Sequence, residues 1–161
     1  MIEETLALAA PHDVQWGPFV CGDPQIEAKL QEEVRAAQRG LRALYEMRSG
    51  AELIAVFTLH VGTLQAGHGV LAALSPEAPL SIPSLHLPVI AVRTGHQGTG
   101  LGTRLMDFIM TLARNQAPNL GIKTLSLEST PTSDAFYTRL GFERSSQIWS
   151  DGSRARWLVL R

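Results

Sequence analysis

The glycine-rich segment at residues 92–103 is the part of the sequence best suited to binding chemistry. It reads Val-Arg-Thr-Gly-His-Gln-Gly-Thr-Gly-Leu-Gly-Thr and joins an apolar run to a segment of helical periodicity. Glycines permit tight turns and a close approach of the backbone to a ligand. The N–H groups at a helix start, with the helix dipole behind them, favour an anion such as a phosphate. The segment therefore predicts a diphosphate site.

The spacing within this segment excludes two common nucleotide-binding motifs. A P-loop ends in Lys followed by Ser or Thr, but the two lysines, Lys29 and Lys123, lie elsewhere. The dinucleotide fingerprint requires G-x-G-x-x-G, whereas the spacing here is Gly98-x-Gly100-x-Gly102. The pattern that fits is Gln97-x-x-Gly100-x-Gly102, which resembles the acyl-CoA signature of the GNAT superfamily of N-acyltransferases. The alternative is a glycine turn that only caps a helix.

A second pattern downstream strengthens this resemblance. The family places Phe-Tyr and then Leu-Gly-Phe after the next strand, and the chain carries Phe136-Tyr137 and Leu140-Gly141-Phe142 there. Two positions depart from the family pattern: Thr130 stands where Asn is frequent, and Ser133 stands where Ala is frequent. Thr is still a competent N-cap, so a helix is predicted to start at Thr130. The resemblance covers about residues 84–142.

The resemblance implies direct transfer of an acetyl group from acetyl-CoA to an amine. The hydroxyl of Tyr137 would protonate the departing thiolate, as suits a phenol beside a developing anion. The pantetheine would pair with the backbone near Ile90 and Val92, and a backbone N–H would polarise the thioester carbonyl. The residues implied to bind acetyl-CoA are Ile90, Ala91, Val92, Gln97, Gly98, Thr99, Gly100, Leu101, Gly102, Thr103, Thr130 and Phe136.

The attacking amine has to be neutral, so the reaction needs a general base or a water chain. Glu128 and His86 are the catalytic candidates beside Tyr137, and His60 is a third possible base. Each has a structural alternative: a solvated carboxylate, partly buried histidines, or a core tyrosine bonded to backbone. The five histidines and Cys21 show no metal-ligand spacing, so we expect no metal.

Positioning these residues requires a strand before the glycine segment and a helix after it. Asp23 as N-cap and Pro24 at the first helical position predict a helix that Gly40 ends. A long loop is predicted at 65–83, with a helical turn at 70–74. Pro88 predicts a bulge, a break or an unpaired side at its point in the strand. Alternation and turn signals predict strands at 5–9, 41–47, 52–61, 84–92, 123–127, 146–149 and 155–160, and further helices at 100–121 and 130–140.

This order of elements predicts an α+β, or mixed α/β, fold on one central sheet. The resemblance adds that residues 1–161 form a single GNAT-like domain. Its mixed, mostly antiparallel sheet would be flanked by helices and splayed between the strand ending at Val92 and the strand 123–127. We expect residues 11–22, the first helix and the loop 65–83 to form the wall of the site that binds the acceptor amine. Trp16, Phe19 and His68 are the side chains expected to line that wall.

Composition limits the partners. The 161 residues are 45% hydrophobic and 18% charged, with a formal net charge of −1, which argues for a folded chain and against a strongly basic nucleic-acid binder. A single cysteine and an acidic N-terminus predict a cytoplasmic protein with no secretory signal. No apolar run is long enough to span a membrane. The expected acceptor is a small-molecule or peptide amine.

Two other functions stay open. Phe19-x-Cys21-Gly22 and the run from Ile82 to Val92 give a weaker similarity to acetyltransferase toxins, which acetylate aminoacyl-tRNA. Pro88-Val89 departs from that branch, where Ala-Arg is frequent. A non-catalytic acyl-CoA-binding sensor is the second alternative, and the presence of Tyr137 argues against it. A homodimer formed through the C-terminal hairpin, with Trp149 and Trp157, is a further possibility.

Overall fold

The computed structural model describes residues 3–13, 19–65 and 81–161. Its elements follow the predicted order, with one added turn of 3-10 helix at Pro11–Asp13. The predicted helical turn at 70–74, together with Trp16 and His68, lies outside the described residues. The strands are β1 Glu4–Leu8, β2 Ala43–Ser49, β3 Glu52–Gln65, β4 Ser81–Val92, β5 Thr124–Ser129, β6 Glu143–Arg144 and β7 Arg154–Val159, and the helices are α1 Pro24–Gln38, α2 Leu101–Leu120 and α3 Asp134–Arg139.

The strands form a seven-stranded mixed sheet in the order β1-β2-β3-β4-β5-β7-β6. The pairs β1/β2, β2/β3, β5/β7 and β6/β7 are antiparallel, and β4/β5 is parallel, with α2 as its crossover. The predicted α+β fold is confirmed. The β4/β5 register runs from Ser84 opposite Thr124 to Leu87 opposite Leu127 and stops before Pro88, which has no N–H to donate.

The chain divides into two compact units, and β3, β4 and α2 each contribute residues to both. The first unit comprises Met1–His60 and Pro88–Phe108, and the second comprises Val61–Leu87 and Ile109–Arg161. A cluster in the first unit contains Cys21, Leu30, Leu53, Val56, Val89 and Ala91. A cluster in the second unit contains Leu64, Ile82 and Trp157. That residues 1–161 act as one domain stays a prediction.

Helix α1 is fixed at its start and near its end by polar side chains. The Asp23 carboxylate accepts the main-chain N–H of Gln25 at 2.9 Å, as the predicted N-cap requires. Nearer the end of the helix, the buried carboxylate of Glu33 accepts bonds from Arg42 Nε at 2.6 Å and Thr58 Oγ1 at 3.2 Å. These bonds tie α1 to the start of β2 and to β3. Among the described residues, no helix is long and apolar enough to cross a membrane.

The predicted strand at 146–149 is wrong. On one side β7 pairs antiparallel with β5, and on its other side with the two-residue β6, at Glu143–Arg144. After β6 the N–H groups of Ser145 and Trp149 still donate to the carbonyls of Ala155 and Ser153, both at 2.9 Å, but no regular ladder continues. Between them the N–H of Gln147 donates to Ser145 Oγ at 3.1 Å, and the N–H of Gly152 donates to the Trp149 carbonyl at 2.9 Å. Such local bonds compete with a strand ladder. Trp157 is buried in the second unit, so its side chain is not a dimer surface, and the homodimer stays a prediction.

Candidate active site

The loop between β4 and α2 contains three glycines in a conformation that other residues rarely adopt. The φ angles of Gly95, Gly98 and Gly100 are 96°, 75° and 82°. A Cβ atom added at any of the three would meet nothing within 4 Å. The loop therefore leaves open space directly in front of its backbone, as a closely approaching ligand requires.

The main-chain amides that follow are not used within the described part of the chain. There the N–H groups of residues 97–103 donate to no main-chain carbonyl, and the first that does is that of Arg104, to the Gly100 carbonyl at 3.1 Å. Helix α2 is 20 residues long, so its dipole adds positive potential at this end. The residues present fit a bound diphosphate.

The side chain of Gln97 holds this loop in place. Its Nε2 donates to the carbonyl of Cys21 at 2.5 Å and to the carbonyl of Val92 at 2.9 Å. The N–H of Thr94 donates to the Val20 carbonyl at 2.8 Å. The Gln97 side-chain amide is thus directed at the protein, and its main-chain N–H is the group left to act on the predicted ligand.

The basic side chains of Arg93 and His96, near the loop, have partners within the first unit. The Arg93 Nε donates to the Leu53 carbonyl at 2.6 Å, and its guanidinium lies over the Phe19 ring, 5.1 Å from the centroid. His96 Nε2 lies 3.4 Å from a carboxylate oxygen of Glu52. Because these side chains already have partners, an anion at the loop would be bound chiefly by main-chain amides.

The strand residues implied to bind pantetheine alternate between two environments. Ala91 is buried in the core cluster of the first unit, whereas Ile90 and Val92 are half-buried. At the start of α2, Leu101 is buried, Gly102 is half-buried and the side chain of Thr103 is exposed. Backbone atoms of β4 and side chains of its half-buried face are therefore the groups available to a ligand.

Tyr137 lies in the second unit, on the six-residue helix α3. Its ring is 5% exposed and packs edge-on against Phe136, at a centroid distance of 5.1 Å, and against Phe142, at 5.7 Å. Burial raises the pKa of Tyr137 well above its ordinary value, although the nearby charge of Arg156 acts in the opposite direction. The hydroxyl is therefore protonated at neutral pH, the state that a proton donor requires.

A sequence model of the acetyltransferase (GNAT) domain matches residues 56–154, more than half of the chain. The chain belongs to the GNAT acetyltransferase family. Solved structures agree in fold. A bacterial toxin is 21% identical with a TM-score of 0.87, over 99% of this chain and 92% of that one. A tyrosine-to-phenylalanine variant of KacT is 23% identical with a TM-score of 0.81, over 97% and 94%.

A third structure similar to this GNAT acetyltransferase is AtaT complexed with acetyl-methionyl-tRNAfMet. It is 20% identical with a TM-score of 0.81, over 98% of this chain and 95% of that one. At such identities the similarity establishes a shared fold. No curated protein sequence matches the chain.

In this GNAT acetyltransferase α3 starts later than predicted. It begins at Asp134, and Thr130 is not its N-cap. Ser133 Oγ instead accepts the N–H of Thr130 at 3.0 Å and lies 3.0 Å from Thr130 Oγ1. These bonds close a turn before the helix, so the hydroxyls are used where a cap was predicted. The assignment of Thr130 and Phe136, both half-buried, to acetyl-CoA binding stays a prediction.

The candidate bases occupy different surroundings. In the second unit, His86 Nδ1 lies 2.9 Å from Ser126 Oγ, which lies 2.7 Å from the buried Ser84 Oγ. Glu128, in the same unit, is exposed on β5. His60 is half-buried and is the last residue of the first of the two segments that form the first unit. In the described ranges no three His, Cys, Asp or Glu side chains are grouped as a metal site would need.

Alkaline unfolding should report the burial of Tyr137. Its folded-state pKa is raised above the ordinary 10.0, so the folded protein holds this proton more tightly than the unfolded chain. The resulting stability is fully present below about pH 10 and is lost progressively as pH rises from there towards the raised folded-state pKa. We expect wild type to lose more unfolding free energy between ~pH 9 and ~pH 11 than Tyr137→Phe, as measured by urea denaturation. An equal loss of unfolding free energy in wild type and Tyr137→Phe would contradict the burial of the Tyr137 hydroxyl.

Proposed function

We propose that this GNAT acetyltransferase transfers an acetyl group directly from acetyl-CoA to the primary amine of a small molecule or peptide. The observation that carries the proposal is that, among the described residues, no main-chain carbonyl accepts from the N–H groups of residues 97–103, in a loop whose glycines leave open space. Several charge-assisted hydrogen bonds from one loop suit the diphosphate of coenzyme A. The proposal extends the family membership to a named donor and a class of acceptor.

The proposed chemistry is one nucleophilic displacement. The neutral amine nitrogen attacks the thioester carbonyl carbon, the C–N bond forms, and the C–S bond breaks. The departing thiolate takes the proton of the Tyr137 hydroxyl, and the proton lost by the amine passes to a base or to water. Glu128, His86 and His60 stay the candidates for that base. Most of the remaining acceleration would come from holding the amine beside the thioester.

A cavity in the first unit is a candidate surface for the acceptor. It has a volume of about 380 Å³ and lies along α1, next to Phe19 in the segment where the acceptor wall was predicted. Both polar and apolar side chains are available to a small amine. The residues that line the cavity are Phe19, Glu27, Leu30, Gln31, Val34, Arg35 and Gln38.

Acetylation of aminoacyl-tRNA is the second candidate function. The observation that favours it is the fold similarity to toxin structures, including AtaT with acetyl-methionyl-tRNAfMet. The formal net charge of −1 argues against it, because RNA binding depends on a basic surface. An antitoxin-like protein partner would belong with this second function, since AtaT has been solved with the C-terminus of the antitoxin AtaR.

One screen separates these functions. The protein is mixed with acetyl-CoA and, in parallel, with a panel of small amines, a set of peptides, and total charged tRNA. Released coenzyme A is measured, and each product is examined by mass spectrometry for one added acetyl group. Turnover on a small amine or peptide would support the proposal, and turnover only on charged tRNA would replace it with the second function. Tight acetyl-CoA binding without turnover would identify a sensor.

A further inference from the structure

The side chain of Arg156 is the most deeply buried charge described in the second unit, with no exposed surface. It projects from β7, and its guanidinium contacts three different segments. Nε donates to Ser129 Oγ at 3.1 Å, Nη1 donates to the Phe142 carbonyl at 3.3 Å, and Nη2 donates to Asp134 Oδ1. A buried arginine without these partners would be strongly unfavourable, so this arrangement requires all three segments to stay in place.

The contacts of Arg156 lie at both ends of the helix that carries Tyr137. Asp134 is the first residue of α3, and Phe142 follows shortly after its last residue. Ser129, at the end of β5, also donates to Asp134 Oδ1 at 3.1 Å. A six-residue helix is not stable by itself in water, and Ser133 supplies no side-chain cap here. External bonds to the two ends therefore determine where this helix sits.

The carboxylate of Asp134 receives two further arginines from the same unit. Arg144 Nη1 lies 3.5 Å from Oδ2, and Arg154 Nε lies 3.9 Å from Oδ1. The hydrogen bond from Arg156 is the main cause that lowers the pKa of Asp134. The carboxylate is thus ionised at neutral pH and forms a charge-assisted pair with the buried guanidinium.

We propose that Arg156 and Asp134 form a clamp that positions Tyr137 for proton donation. The guanidinium fixes both ends of α3, and the ring of Phe142, whose carbonyl it binds, packs edge-on against the ring of Tyr137. Both are positioning residues, since neither is assigned a contact with the reacting atoms. The catalytic consequence rests on the proposed function, in which Tyr137 protonates the thiolate.

A structural test uses the fact that the chain has only two tyrosines. In a Tyr45→Phe background Tyr137 is the sole tyrosine, and tyrosine labelled with carbon-13 at Cζ gives one resonance that reports its position without substrate. We expect Arg156→Met to shift or split that resonance. Arg144→Gln is the matched control: it removes an arginine from the same carboxylate, but this side chain is 59% exposed, so the resonance should not move.

A kinetic test separates positioning from general stability. We expect Arg156→Met to lower kcat roughly 100-fold, with the KM for acetyl-CoA changed less than about twofold. Arg156→Lys retains the charge and should recover about tenfold of that loss. In a Tyr137→Phe background the same Arg156→Met change should lower kcat less than about threefold, because the group it positions is already absent.

Three results would overturn the clamp: an unmoved Tyr137 resonance in folded Arg156→Met, wild-type kcat in that variant, or equal loss of kcat in both backgrounds. If Arg156→Met does not fold, Asp134→Asn is used in its place, because asparagine removes the charge of the carboxylate and keeps one oxygen acceptor. The same three results in Asp134→Asn would overturn the clamp. A wild-type protein that acetylates no acceptor would refute the proposed function, whereas the resonance would still decide whether Arg156 positions Tyr137.

Discussion

Replacing Gly100 by valine should raise the Kd for acetyl-CoA about 100-fold, or ~2.7 kcal/mol. The φ angle of Gly100 is 82°, and the direction in which its Cβ would point is open. The valine side chain would occupy that space, and the amides of residues 97–103 would lose charge-assisted bonds that contribute roughly 1.5–3 kcal/mol each. Isothermal titration calorimetry with acetyl-CoA measures the change directly.

Gly121→Val is the matched control for this variant. Gly121 follows the other end of α2, has a φ of 68°, and also has nothing within 4 Å of an added Cβ. A valine there has a similar backbone strain, of about 1–2 kcal/mol, but it lies outside the loop. We expect both variants to lose similar thermal stability while Gly121→Val binds acetyl-CoA like wild type. Wild-type affinity in a folded Gly100→Val protein would remove the loop from donor binding.

Tyr137→Phe should lower kcat by at least about 100-fold, the usual contribution of a positioned general acid. The ring contacts with Phe136 and Phe142 do not involve the hydroxyl, so packing is retained. We expect the KM for acetyl-CoA to change by less than about twofold, because only an interaction of the transition state is lost. Steady-state kinetics with the acceptor found in the screen provides both constants.

The chain's other tyrosine provides the comparison. Tyr45 stacks on Phe57 in the first unit, with centroids 4.8 Å apart, and Tyr45→Phe removes a hydroxyl in the same way. We expect wild-type kcat from that variant. A rate equal to wild type in Tyr137→Phe would show that another donor, such as a water molecule, protonates the thiolate, and Tyr137 would leave the mechanism.

Local sequence signals predicted the parts of the fold whose interactions are local. Asp23 and Pro24 predicted the start of α1 correctly, because the bonds of an N-cap involve residues two or three positions away. The start of α3 was predicted four residues too early. Asp134 is held there by Arg156, which is 22 residues further along the chain, and no local pattern reports such a pair.

The site shows the same division between local and distant interactions. The glycine spacing predicted a loop with an open backbone, since φ preference belongs to the residue itself. The hydrogen bond from the Gln97 side chain to the Cys21 carbonyl could not be predicted, because Cys21 lies 76 residues earlier in the chain. Arg156 was missed for a related reason: within a strand it reads as one more polar residue, and only the fold shows that it is buried.

The segment before α1 supports the loop between β4 and α2 at two points, and at both it contributes only main-chain carbonyls. Thr94 and Gln97 bind the carbonyls of Val20 and Cys21, and every amino acid offers that same carbonyl. Evolution can therefore exchange the side chains at these two positions at little cost to the loop. An inserted or deleted residue would move both acceptor carbonyls away from their donors. In homologous chains we therefore expect the length of this segment to vary far less than its amino-acid sequence.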